Sequence, residues 1–145
     1  MPLDPDRLLG VSIPPRRAVY DDREPILYAL SVGARADELE LVYEDGLRVI
    51  PSFAQVLGYD DSWLEICGVD LAHVVHGSLD IEFQGQFAPS GEAEVEMRIA
   101  GVTDKGAGRG GIVHQEMHIL QAGRPVATSL SSLFVRGGGG FGGDR

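Results

Sequence analysis

Apolar and polar residues alternate through most of the second half of the chain. In LDIEFQGQF, Leu79–Phe87, the residues Leu79, Ile81 and Phe83 fall on one side of a strand. Pro89-Ser90-Gly91 then reads as a turn. EAEVEMRIAGVTD alternates again, with Ala93, Val95, Met97 and Ile99 inward and Glu94, Glu96 and Arg98 outward. GIVHQEMHILQ and PVATSLSSLFVR are two further strand candidates, parted by Ala122-Gly123-Arg124. Strands joined by tight turns predict an antiparallel sheet.

The first half carries a different period. Tyr20–Ala34 reads as a helix, with Asp21 or Asp22 as cap, Pro25 in the first turn and Gly33 as an end signal. Ile26, Leu27, Leu30 and Ala34 recur at helical spacing and predict its packed face. LELVYE, Leu39–Glu44, predicts a short strand, and PSFAQVLG from Pro51 one or two helical turns. GYDDSWLEICGVD, residues 58–70, reads as a loop with a small helix. Helix first and sheet after make the class α+β. Residues 1–17, punctuated by four prolines, are expected as an extended arm, 18–136 as the domain and 137–145 as a glycine-rich segment. A glycine run is ordinarily a flexible linker, but Phe141 within this one argues that it docks.

Composition narrows the class. A chain of 145 residues, 43% hydrophobic and 23% charged, is long enough and apolar enough for one core. No apolar run approaches the roughly 20 residues of a membrane span, and the N-terminus lacks the pattern of a signal peptide. One cysteine, Cys67, excludes an internal disulfide and fits a reducing cytoplasm. The formal charge of -10 argues against general nucleic-acid binding, yet a local cationic pocket can still hold a phosphate. Lys105 is the one lysine.

Candidate chemistry is sparse. His114 and His118 are four apart, a metal-like spacing on a helix, but their surroundings read as strand and no CxxC, HExxH or acidic cluster accompanies them. No metal site is expected. His73 and His76 flank Val74-Val75 without a nucleophile elbow. DKGAG, Asp104–Gly108, reads as a hairpin turn that places Lys105 at the lip of the sheet, and no glycine run here opens a helix as a dinucleotide loop would. Glu82, Glu92, Glu94 and Glu96 read as a solvated face.

Six strings, REPILYALSVGA, ELELVYE, VIPSFAQVLG, VVHGSLDIEF, PSGEAEVEMRIAGVTDKGAG and SLSSLFVRGGGGFGG, occur in this order over residues 17–145. In that order the chain resembles the N-terminal, substrate-holding domain of the hydratase 2, or (R)-specific enoyl-CoA hydratase, branch of the MaoC-like hot-dog family. The resemblance implies a single hot-dog fold, a curved antiparallel sheet wrapped around a shortened central helix. It implies CoA and substrate contacts at His76, Gly77 and Lys105. It implies a CoA thioester as substrate with no cofactor, and bulky acyl groups such as steroid side chains. The family's Tyr-x-x-x-Gly-Asp-x-Asn-Pro-x-His pattern is absent, since the chain contains no asparagine. The acid and base are then expected from a partner hot-dog chain, in a heterodimer or heterotetramer. A homo-oligomeric acyl-CoA-binding module, or the N-domain of a longer two-domain hydratase, remains open. A thioesterase on the same fold would need a carboxylate such as Glu65, Asp70 or Asp80.

Overall fold

The computed structural model describes residues 2–145. Five strands form one antiparallel sheet: β1 (Arg16–Tyr20), β2 (Val74–Phe83), β3 (Gly91–Asp104), β4 (Gly110–Gln121) and β5 (Arg124–Arg136), in the order β1-β3-β4-β5-β2. The class is the expected α+β, and the sheet curves around short helices on one face. Inward positions run across the strands in register, as in Met97 opposite Met117 opposite Ser129 opposite Ile81. Ala93, Val95, Met97 and Ile99 are buried as their alternation predicts. A register shift between Ile99 and Gly101 then moves the buried phase to Val102.

Two strands begin where the sequence pattern did not place them. β1 arises from RRAVY, whose residues Ala18 and Tyr20 are buried while Val19 points out. It pairs with the first part of β3 alone, Arg16 opposite Val95 through Tyr20 opposite Gly91. β2 starts five residues before Leu79, at Val74.

The helices are α1 (Pro5–Leu9), α2 (Arg23–Ser31), α3 (Leu39–Val42), α4 (Ala54–Gly58) and α5 (Ser62–Ile66), with 3-10 turns at Pro51–Phe53 and Leu71–His73. The segment expected to be extended therefore contains a helical turn. Asp4 caps it by accepting from the Arg7 amide, and Leu8 is buried. Met1 lies outside the described residues. At α2, Asp21 accepts from the Arg23 amide while Glu24 accepts from the Asp21 amide, a reciprocal start signal. The packed face of α2 is not the predicted one. Pro25 and Ala29 are buried, and Leu27 and Leu30 are exposed. Tyr28 sets that orientation: its hydroxyl donates to Ser52 at 2.8 Å and its ring lies 5.8 Å from that of Phe53. LELVYE is a helical turn rather than a strand. Acidic residues precede it, which suits a helix start, and among the described residues no strand pairs with it.

The Pro51–Gly58 stretch and α5 occupy the sheet's inner face. Gly58 packs closely there, and a side chain at this position would displace the thioether end of Met117 on β4. The core divides into one group around Tyr20, Phe53, Phe87, Val95 and Ile119 and another around Leu8, Trp63, Ile99, Val102 and Val113. No helix among the described residues is long and apolar enough to cross a membrane.

Candidate functional site

Because the inner helical layer breaks at Tyr59–Asp61, it leaves a cavity of about 250 Å³ against the sheet. Gln55, Trp63, Leu64 and Leu71 border it on the helical side, and Gln115, Met117, Ser129, Ser131 and Leu133 on the sheet side. Val74 and His76 of β2 close one flank. Trp63, fully buried, donates from Nε1 to Gln115 Oε1 at 3.0 Å and ties helix to sheet. Without that acceptor a buried indole N–H would cost about 1–3 kcal/mol. The Gln55 Nε2 is buried and has no partner among the described residues.

His76 reaches the cavity because of a bulge. Val74 pairs with Val135 and His76 with Leu133, but Ser78 pairs with Ser132, leaving Gly77 as the extra residue. The bulge lets Val74 and His76 share the inner face with Leu79, Ile81 and Phe83. At Gly77 a Cβ would lie 3.0 Å from the Ser132 carbonyl oxygen. The glycine thus fits the approach of β5's own backbone, a structural requirement the sequence pattern did not disclose.

Lys105 lies elsewhere. It opens the β3–β4 turn, its amide donates to the Gly110 carbonyl at 3.0 Å, and its side chain is exposed. The register Asp104–Gly111–Val135–Val74 puts this turn at the end of the sheet where β2 begins, three strand spacings or roughly 14 Å across. His76 and Lys105 are brought to one end of the sheet but not into contact. Arg109 in the same turn and Arg136, paired with Gly110, join Lys105 there. None of the three is in an ion pair among the described residues. Sequence reasoning passed over both arginines, because their closeness to Lys105 depends on the β4–β5 register.

Asp104, just before Lys105, organises the turn. Its Oδ1 accepts from the Gly140 and Gly106 amides at 2.7 and 2.8 Å, and its Oδ2 from the Gly142 and Gly143 amides at 2.8 and 3.3 Å. These donors, Gly140 foremost, hold its carboxyl well below the usual carboxylate range. Arg145 exchanges backbone hydrogen bonds with Val102 at 2.9 Å each way, and the half-buried Phe141 packs on the second core group. The glycine-rich segment is therefore docked, as Phe141 suggested.

The other candidates resolve differently. His114 lies between Thr103 and Ser132, and His118 between Glu116 and Thr128, all on the outer face of the sheet. No group of three or more His, Cys, Asp or Glu among the described residues could hold a metal ion. Cys67 is buried, and burial pushes its thiol pKa up, so it is poorly suited to act as a nucleophile. Glu65, Asp70 and Asp80 do not border the cavity. Asp70 instead caps the Leu71–His73 turn. The carboxylates that do border it are Asp60 and Asp61. Burial alone would raise Asp60, but the Ser62 amide and hydroxyl and the Arg16 charge outweigh it and keep the carboxyl below its ordinary value. Asp61 accepts from the Tyr59 hydroxyl at 2.9 Å.

A five-stranded antiparallel sheet in this order, curved around a broken inner helix, defines a hot-dog domain of the MaoC-like type. Residues 19–137 match the profile of the MFE-2 hydratase 2 N-terminal domain, and the chain belongs to that family. It is 31% identical to the enoyl-CoA hydratase ChsH3 of Mycobacterium tuberculosis, an alignment covering all of this chain and 54% of that protein. The chain thus spans about half the length of this relative. Among solved structures it resembles a MaoC-like dehydratase from Phytophthora capsici, with a TM-score of 0.79 and 19% identity over 99% of this chain and 53% of the other. It also resembles a chain of the ChsH1-ChsH2 complex from Mycobacterium tuberculosis, with a TM-score of 0.66 and 15% identity over 90% of this chain and 86% of the other.

Proposed function

We propose that this chain is the substrate-holding, non-catalytic half of an (R)-specific enoyl-CoA hydratase, which adds water to a trans-2-enoyl-CoA to give a (3R)-3-hydroxyacyl-CoA. The carrying observation is the cavity beside His76, walled largely by apolar side chains, on a sheet whose end at the start of β2 also carries Lys105, Arg109 and Arg136. The acyl group enters the cavity, His76 hydrogen-bonds the pantetheine arm, and the cations receive the phosphates of CoA. Gly77 holds the bulge that aims His76. The break between α4 and α5 leaves room for a bulky acyl group, steroid side chains among them. Leu79 and Phe83, 36% and 44% exposed on the inner side of β2, supply apolar wall beyond the cavity. Hydration is acid–base chemistry, and in this reading it calls for no cofactor.

The acid and base come from a second hot-dog unit carrying the Asp-x-Asn-Pro-x-His pattern, which these 145 residues lack. In this reading it pairs along the open edge of β2, which of the two sheet edges is the one that flanks the cavity. That the similar ChsH1-ChsH2 structure is a complex supports a separate chain in this role. A reducing cytoplasm suits the assembly, with Cys67 as a free thiol.

The test measures trans-2-enoyl-CoA hydration by the chain alone and after mixing with a hot-dog chain bearing that pattern, encoded beside it. The expected result is acyl-CoA binding without turnover by the chain alone, and turnover by the mixture. Hydration at a normal rate by the chain alone overturns the reading. A stable homodimer that binds acyl-CoA and gains nothing from any partner points to a binding module instead.

A further inference from the structure

The cavity contains more hydrogen-bonding capacity than an unadorned hydrocarbon chain can use. Gln55 borders it from α4, and its buried Nε2 is the one buried side-chain nitrogen or oxygen without a partner among the described residues. Native proteins rarely leave such a group unpaired without a reason. Leucine or methionine would fill the same volume without that cost. The opposite wall repeats the pattern. The inward row of β5 runs Ala127, Ser129, Ser131, Leu133, Val135, so that two hydroxyls stand between apolar neighbours where the cavity lies. Ser129 is 3% exposed and is the only buried polar residue of the described chain.

On the acyl-thioester reading above, we propose that the acyl group bound here carries an oxygen substituent, a hydroxyl or keto group, that hydrogen-bonds to the Gln55 amide. The terminal amide can turn to present its NH2 or its carbonyl, so the side chain serves either substituent. Ser129 and Ser131 face the same space from the sheet. A site built to hydrogen-bond a substrate oxygen discriminates against the analogue lacking it, because its own polar groups are then left unpaired. A plain fatty acyl chain would bury Gln55 and both serines against methylene groups.

The experiment compares dissociation constants for dodecanoyl-CoA and for a set of hydroxy- and oxododecanoyl-CoA esters with the oxygen moved along the chain. They are measured on the wild-type protein and on Gln55→Met, whose side chain is similar in volume. At the matching position the wild type should bind the oxygenated ester about tenfold more tightly, the effect of one neutral hydrogen bond in a desolvated site. Gln55→Met should lose that preference. Ser131→Ala gives a second reading should Gln55→Met fail to fold, and it should reduce the preference. Equal binding of plain and oxygenated esters by the wild type overturns the proposal while leaving the acyl-thioester reading intact. So does a preference that survives both substitutions. Failure to bind any of the esters overturns both.

Discussion

Among the described residues Ala122 is the one non-glycine with positive φ, at 49°, and it sits beside Gly123 at φ 71° in the two-residue turn between β4 and β5. Positive φ at both central positions is the demand of the turn type that suits twisted hairpins, and asparagine meets it better than alanine. Ala122→Asn should therefore stabilise the fold by about 0.5–1 kcal/mol, read as a higher melting temperature. Lys105 offers the corresponding test for ligand binding. In Lys105→Ala, acyl-CoA binding should weaken by about 1–2 kcal/mol if the ammonium holds a phosphate. Binding of the acyl-pantetheine, which lacks the nucleotide phosphates, should not change. An unaltered acyl-CoA dissociation constant removes Lys105 from the site. At this scale the sequence offers His76 and Lys105 as candidates through short strings. It did not expose Gln55, Arg109 or Arg136, whose significance lies in register and in a missing bond partner rather than in local pattern.

At the scale of elements, what was legible followed the strength of the period. The alternation in β3 is strict from Ala93 to Ile99, and the buried positions there are those expected. Leu39–Glu44 is apolar and short, a pattern that strand and helical turn share, and tertiary surroundings decided for the turn. α2 shows a different kind of misreading. Its helical period was visible, but Tyr28 and Ala29, not Leu27 and Leu30, meet the rest of the protein. β1 was hidden because five residues carrying two arginines give a weak signal, and its pairing with β3 is remote in sequence. The docked glycine-rich segment has its own prediction. An unfolded chain protonates Asp104 near pH 4, whereas the folded protein keeps it ionised well below that. Its stabilising contribution is complete above about pH 4 and is lost as the pH falls further, through the folded value. Amide protection at Gly140, Gly142 and Gly143 should therefore persist to about pH 4 in the wild type. In Asp104→Asn, an NH2 would face backbone donors, and protection should be lost at neutral pH as well. Unchanged protection in that variant would show that Phe141 and the Arg145–Val102 pairing suffice to hold the segment.

Over the whole molecule, charge is unevenly spread. The chain is formally -10, yet Lys105, Arg109 and Arg136 stand together at one end of the sheet without carboxylate partners among the described residues. Asp104 and Asp144 share that end, so any attraction for an anionic ligand is local to the three cationic side chains. Binding of a CoA ester should therefore weaken as salt is raised, more steeply than binding of the acyl-pantetheine, and parallel salt dependences would place the phosphates away from that end. The fold class and the hot-dog layout could be anticipated because six weak strings occur in one order. The cavity could not, because it forms where the inner helix breaks at Tyr59–Asp61 and where a bulge turns His76 inward.

The docking of the glycine-rich segment has a topological consequence. Leu3 donates its amide to Gly138 at 2.8 Å, and Arg145 pairs with Val102. The first and last described segments thus lie against the same end of the sheet. A short glycine–serine bridge from Arg145 to Pro2 would then let the polypeptide be reopened at Ala122–Gly123, a tight turn at the far end of β4 and β5. Such a circular permutant should keep the five-stranded order and move both free ends away from Lys105, Arg109 and Arg136. A circular dichroism spectrum and cooperative melt like those of the parent would confirm it, and a failure to fold would identify the β4–β5 turn as indispensable to forming the sheet.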